Sequence, residues 1–327
     1  MPTDNVLSRR EALIKLLRVA GASAGAAGVG LWLSESSWRP ETAMAVTVKH
    51  GHTVAADPKL PEMAVVQGDD PALLARAAVE ELGGMRRFIA RGDVVLIKPN
   101  IGWDRTPEQA ANTNPDVIAE MIRQCQNAGA KKVIVADVSC NDARRCYQRS
   151  GISESAQKAG AELVLPDPSR FKDVDLQGEV LQTWPVFEVF LNVDKVINIP
   201  IAKHHGLTGV TLGMKNWYGM LGGQRNQLHQ RIHESLVDLA DFVKPTLTLI
   251  DCYRILIRNG PTGGNLEDVL LKKTLVAGTD PVALDAYVAK AYWNMEVDAL
   301  PYLKLAAKRG LGTYRFEQVR TRVRKLA

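Results

Sequence analysis

Short unbroken apolar runs in this chain alternate with longer stretches in which apolar residues return every three or four positions. The first pattern fits strands and the second fits helices. Val94-Val95-Leu96-Ile97 is one such run and stops at Lys98-Pro99-Asn100. Because it has no polar alternation, it predicts a strand buried on both faces of a parallel sheet. Pro115 to Ala128 reads as a helix, with Asn114 placed to cap it, Pro115 in its first position and Gly129 as its stop. Lys131 to Val138 then reads as a second buried strand. Further helices are predicted at Pro71 to Leu82, Ile152 to Ala159, Ile232 to Phe242 and Pro281 to Tyr292. Further strands are predicted at Leu163 to Leu165, Val186 to Leu191, Lys195 to Ile201, Leu247 to Ile250 and Leu275 to Gly278, with Phe171 to Gln182 an irregular excursion. The expected fold is α/β, a mostly parallel sheet with helices on both faces.

The N-terminus breaks this pattern. Ser8-Arg9-Arg10-Glu11-Ala12-Leu13 precedes a Gly/Ala-rich apolar run from Val19 to Leu33, and a polar stretch then ends at Ala43-Met44-Ala45. Charged region, apolar region and small-residue cleavage box stand in the order of a twin-arginine signal peptide over residues 1–45. Residues 46–327 are then expected as one α/β domain, exported folded by the twin-arginine translocase to the periplasm or another extracytoplasmic space. Retention as an uncleaved membrane anchor is the lesser reading, since a span needs about 20 strongly apolar residues. A basic N-terminal helix that merely contains Arg-Arg is the other alternative.

Nearly half of the positions are hydrophobic, which suits a large packed core and excludes disorder. The chain carries 41 basic and 36 acidic residues, and removing the leader's five basic and four acidic ones leaves +4. No dense Lys/Arg stripe with interleaved aromatics occurs, so nucleic acid is not an expected partner and a small anion fits better. Of four cysteines, Cys140 and Cys146 are near enough in sequence for a disulfide, while Cys125 and Cys252 sit in apolar surroundings as free thiols. Without a Cys-x-x-Cys spacing, an iron-sulfur cluster on this chain alone is not expected.

Ligands of open α/β sheets gather beyond the carboxyl ends of the strands, so the residues just after each strand become the candidates. Five ends are polar: Lys98 with Asn100, Asp137 with Ser139, Lys203 with His204 and His205, Asp251, and Asp280. Asp137 and Asp280 are explained equally well as turn or helix caps. The richest stretch, residues 198–233, holds four of the six histidines together with Lys203, Lys215 and Asn216. Lysines can hold phosphate or carboxylate as point charges, and asparagines orient a ligand by donating and accepting. The expected site therefore has His205, Lys203 and Lys215 as catalytic groups and Lys98, Asn100 and Asn216 as substrate-binding groups.

His229 and His233 stand four apart at the start of a predicted helix, so with His205 they can form a three-nitrogen metal site. Metal-free proton transfer by His205 is the alternative use. Asn259-Gly260-Pro261-Thr262-Gly263-Gly264 can fold into a nest of N–H groups around an anion, with Gly263 and Gly264 at the substrate, or it is a plain turn. It lacks the Lys-Ser/Thr ending of a nucleotide-binding loop.

In order, Ile97-Lys98-Pro99-Asn100, Asn198-Ile199-Pro200 leading to Lys203 and His205, Met214-Lys215-Asn216 with Gly219, Gly260-Pro261 with Gly264, and Asp280-Pro281-Val282-Ala283-Leu284-Asp285 resemble the domain of unknown function 362 family. The resemblance spans about Val94 to Gly312. It implies a single α/β domain with a shared polar site, but no particular reaction. Some members look like iron-sulfur proteins because a ferredoxin-like segment is attached, and this sequence shows no such segment. Cys252-Tyr253-Arg254 departs from the small or acidic residues common there, which bears on the substrate. The architecture, without matched motifs, is also similar to nickel-cofactor lactate racemases, which implies lysine and histidine chemistry on a small acid.

Two functional readings follow. In one, the protein is an exported enzyme acting on a small anion at the Lys/His/Asn site, with or without a metal or redox cofactor. In the other, it is a non-catalytic metal or cofactor carrier, or a maturation factor, for an exported redox partner.

Overall fold

The computed structural model describes residues 52–327, so the twin-arginine motif, the apolar run and the cleavage box lie outside the described residues. The chain enters at β1 (Met63–Gln67), followed by α1 (Pro71–Glu81), β2 (Val94–Pro99), α2 (Pro115–Ala128) and β3 (Lys132–Val135). Next come α3 (Ala143–Arg149), α4 (Ile152–Lys158), the two-residue β4 (Glu162–Leu163) and a hairpin of β5 (Phe171–Asp175) with β6 (Thr183–Phe187). Then β7 (Lys195–Ile199), β8 (Ile201–His205) and β9 (Gly209–Thr211) lead to α5 (Ile232–Val243). The chain closes with β10 (Leu247–Leu256), β11 (Val269–Gly278), α6 (Pro281–Trp293), α7 (Pro301–Lys308) and β12 (Thr321–Lys325).

Ten of these strands form one sheet, in the order β12-β1-β11-β10-β7-β2-β3-β4, with β8 paired to β10 and β9 to β8. Along that path only β11 opposes the others, so the sheet is mostly parallel. Successive residues of each central strand face opposite layers: Leu96 packs under α5, α6 and α7, while Val95 and Ile97 pack under α1, α2, α3 and α4. Burial on both faces is why these strands read as unbroken apolar runs. The helix predicted from Pro115 is observed, with the Asn114 side chain accepting from Asp116 N and Gly129 in the left-handed region at φ 106°. Such an N-cap is worth about 1 kcal/mol.

Several expectations are corrected. Phe171 to Gln182 is not wholly irregular, because its first half pairs with Thr183–Phe187 in a separate two-stranded sheet. The strand expected over Val186 to Leu191 gives way to a 3-10 turn at Glu188–Phe190. The single strand expected over Lys195 to Ile201 is divided at Pro200, which lacks the N–H a ladder requires. Cys140 and Cys146 are not bridged: both are free thiols, Cys140 exposed and Cys146 buried. Among the described residues, no helix is long and apolar enough to cross a membrane.

Candidate functional site

At the carboxyl edge of the sheet, β2, β3 and β8 end around a cavity of about 420 Å³. Asn100, Lys203, His205, Lys215, Asn216 and His229 line it, and Trp103, Cys140, Tyr218, Arg225 and Pro261 complete much of the wall. Among the described residues, Asp137 is the one carboxylate that lines it. Several residues singled out in the sequence meet at this edge, where the side chains divide into framework and free groups.

Lys98 belongs to the framework. Its ammonium donates to Asp137 Oδ1 at 2.5 Å, Pro99 O at 2.9 Å and Asn216 Oδ1 at 3.1 Å, which uses all three hydrogens. Burial lowers its pKa, and Asp137 opposes that shift. Lys98 is fully buried and does not line the cavity, so its expected contact with substrate is replaced by a contact with Asp137. The other Asp137 oxygen accepts from Ile101 N at 2.6 Å, so this carboxylate is committed too. Asn216 Nδ2 donates to Asn198 Oδ1 at 2.8 Å, and Asn100 Nδ2 donates to Asn216 Oδ1 at 3.0 Å. Both asparagines therefore orient the lysines as well as lining the cavity.

Gly219 is the keystone of this framework, because a Cβ there would lie 1.8 Å from Asp137 Oδ1 and 2.6 Å from Lys98 Nζ. Gly219→Ala is expected to displace the pair and cost about 3–5 kcal/mol, the penalty for breaking a buried ion pair. A thermal melt unchanged by this substitution would contradict the arrangement.

Lys203 and Lys215 are different. Lys203 Nζ donates to Asn100 Oδ1 at 2.8 Å and Ala111 O at 2.7 Å, leaving one tetrahedral position for the cavity it lines. Lys215 is only 8% exposed and has no hydrogen-bond partner among the described residues; its Nζ sits 3.7 Å from the centre of the Tyr218 ring. Burial lowers both pKa values to about 7, with Lys98 adding to the shift of Lys203 and Arg225, Lys203 and Lys98 adding to that of Lys215.

The two cavity histidines are held in opposite tautomers. His205 Nδ1 faces two N–H donors, Leu207 at 3.1 Å and Thr208 at 3.4 Å, so it must carry the lone pair and Nε2 the hydrogen. Burial, then Lys215 and Lys203, lower its pKa to about 3, which keeps the ring neutral. His229 Nδ1 lies 2.9 Å from Asn226 O, an acceptor, so its hydrogen is on Nδ1 and its lone pair on Nε2. The rings are nearly parallel, with centroids 6.3 Å apart. Long-range nitrogen–proton NMR at neutral pH is expected to show Nε2–H for His205 and Nδ1–H for His229. The same tautomer on both rings would refute this assignment.

The expected three-histidine metal site is not assembled. His229 lies in a 3-10 run, Arg225–Arg231, and α5 starts only at Ile232, so the four-residue spacing does not place His229 and His233 on one α-helical face. His233 instead stacks on Tyr302 at 6.3 Å. His205 would have to offer Nε2 as a lone pair, which would put its hydrogen on the nitrogen that already faces two donors. Among the described residues, no set of three His, Cys, Asp or Glu side chains is arranged to hold a metal ion.

Gly263 and Gly264 do not line the cavity either. Gly260 N donates to His204 Nδ1 at 3.2 Å, and Gly264 O accepts from Gln109 Nε2 at 2.9 Å, so the loop is tied to the protein and presents Pro261 instead. Asp280 caps α6 through Val282 N and Ala283 N, and Asp251 accepts from Asn114 N and Tyr253 N. None of Cys252, Tyr253 and Arg254 lines the cavity. Arg225 was missed. Its guanidinium donates to Val138 O, Tyr218 O and Ser139 O, tying the 215–220 turn to the end of β3, and no spacing in the sequence marks an arginine that reaches backbone so distant in the chain.

Fold and cavity together define an α/β protein with a cationic pocket at the carboxyl edge of its sheet. The chain belongs to the family described as domain of unknown function DUF362, whose profile matches residues 95–290. A thylakoid-associated protein of Synechocystis, sll1697, is 28% identical over 252 residues, covering 72% of this chain and 74% of that protein. The lactate racemase apoprotein of Thermoanaerobacterium thermosaccharolyticum aligns with TM-score 0.43 and 11% identity over 75% of this chain, which spans 61% of that structure. A Thermotoga maritima protein aligns with TM-score 0.38 and 13% identity over 74% of this chain, which spans 60% of it.

Proposed function

We propose that this chain is an exported enzyme acting on a small anion in the β-edge cavity. Lys203, Lys215 and His205 Nε2–H hold the negative charge, and His229 Nε2 accepts a proton from the bound molecule. The observation that carries this reading is Lys215, a buried amine with no hydrogen-bond partner among the described residues, in a cavity whose one carboxylate is already committed to Lys98. A buried cation without a counter-charge is costly, and an anionic ligand relieves that cost.

The test is calorimetric titration of the purified protein with small carboxylates, phosphate and sulfate on both sides of neutral pH. Binding takes up the protonated lysines, so affinity is expected to fall as pH rises above about 7, the value to which burial lowers both. Absence of binding by every anion in the series, or binding unchanged in Lys215→Met, would overturn the reading. The Arg9-Arg10 motif and the Ala43-Met44-Ala45 box support export through the twin-arginine translocase. Replacing both arginines with lysine is expected to leave the protein inside the cell.

A further inference from the structure

We infer that Lys215 captures a small carboxylate bearing an aldehyde or ketone group, such as a 2-oxo acid, by condensing with its carbonyl to form an imine. The inference rests on the anion-site reading and adds covalent chemistry to it.

The lysines of the site differ in what they would lose by reacting. Condensation removes hydrogens from the nitrogen. Lys98 would surrender bonds to Asp137, Pro99 and Asn216, and Lys203 would surrender bonds to Asn100 and Ala111. Among the described residues Lys215 has no such bond to lose, and its Nζ lies over the Tyr218 ring, 3.7 Å from its centre. Its burial among Arg225, Lys203 and Lys98 also leaves part of the amine neutral and nucleophilic near pH 7.

The rest of the cavity supplies what the reaction needs. The open position on Lys203 Nζ and the Nε2–H of His205 are hydrogen-bond donors for a carboxylate. His229 meets the same Tyr218 ring in a T-shaped contact, with centroids 5.6 Å apart, and lines the same cavity as Lys215, with Nδ1 committed to Asn226 O and Nε2 free. In the step itself, the neutral amine of Lys215 attacks the carbonyl carbon, the nitrogen–carbon bond forms, and the carbonyl π pair moves to oxygen. His229 Nε2 takes a proton from the nitrogen and returns it to that oxygen, giving a carbinolamine; it then carries the second nitrogen proton to the hydroxyl, which leaves as water while the freed nitrogen lone pair completes the C=N bond. No oxidant or reductant is consumed.

Pyruvate and glyoxylate are the probes, added to the full chain with sodium cyanoborohydride and followed by peptide mass spectrometry. Cyanoborohydride supplies the hydride that fixes an imine as a secondary amine. The expected result is a saturable addition at Lys215 equal in mass to the probe less one oxygen atom, suppressed by excess propionate, which has the carboxylate but no carbonyl. Calorimetry without the reductant runs in parallel. Binding of pyruvate with no addition at Lys215, or additions confined to surface lysines, would overturn the imine and leave the anion site standing. Absence of binding by both oxo acids and propionate would overturn both. Because the modified residue is mapped in the wild-type chain, the result does not depend on whether a Lys215 variant folds.

Discussion

Raising the pH from about 7 is expected to stabilise the ligand-free protein by about 1 kcal/mol for each of two lysines over the first pH unit. The sign follows from the two states. In the unfolded chain Lys203 and Lys215 keep their ordinary value of 10.5, whereas in the folded protein burial lowers each to about 7. Between those limits the unfolded state binds more protons, so stability rises with pH. Asp251 and Asp285, pushed up by burial to about 6 and about 7, act in the opposite sense and mainly below neutrality. The buried thiols of Cys125 and Cys146, raised by burial, act above their ordinary value of 9.0. Urea denaturation between roughly pH 7.5 and 8.5 therefore reads chiefly the lysines. Lys203→Met and Lys215→Met should each remove about half of the slope. Loss of either charge-assisted contact should also weaken anion binding by about 1.5–3 kcal/mol, roughly 10- to 100-fold. A wild-type stability that stays flat through this window would mean that the lysines are not desolvated as described.

Asp285→Ala is expected to cost about 2–6 kcal/mol, from two buried N–H groups left unsatisfied, and to abolish anion binding. Asp285 is fully buried on α6 and accepts from Gly213 N at 2.7 Å and Met214 N at 3.1 Å. It therefore fixes the start of the turn that delivers Lys215 and Asn216. Alanine leaves both N–H groups buried without an acceptor, while Asp285→Asn keeps one oxygen and should fall between the two. Thermal melting measures the first effect and calorimetric titration the second. An Asp285→Ala protein that melts like wild type and still binds would show that the turn holds its shape without this carboxylate.

The central strands and the long helices were legible because burial on one or two faces leaves a periodic signature. Val94 to Ile97 and Pro115 to Ala128 are where the sequence places them. Elements at the margin lack that signature: β12, Thr-Arg-Val-Arg-Lys, is largely exposed, and β9 has three residues. The candidate site was legible as an edge and as residue types, with Lys203, His205, Lys215 and Asn216 brought together as expected. What the sequence could not convey is which polar groups are already satisfied. Lys98 and Lys215 look equivalent as sequence, yet among the described residues one has three acceptors and the other has none. Asp280 and Asp285, five apart in one motif, serve a helix cap and a distant turn, and neither touches the cavity. The histidine spacing misled because a 3-10 turn lies where a continuous helix was assumed.

In many α/β sheets the groups that meet a ligand sit on loops past the last ladder bond, and fixing them on binding costs conformational entropy. Here the break at Pro200 does not release the chain from the sheet. β10 pairs with β7 at Leu247 and Thr248, and further along pairs with β8, while β9 closes the other side of β8. Lys203 therefore stands on a strand paired along both edges, and His205 on its continuation paired to β9, like fixed instruments on a rail. For the anion proposed above such a site would be preorganised: little ordering would be needed on binding, and more of the contact energy would remain available for affinity and selectivity.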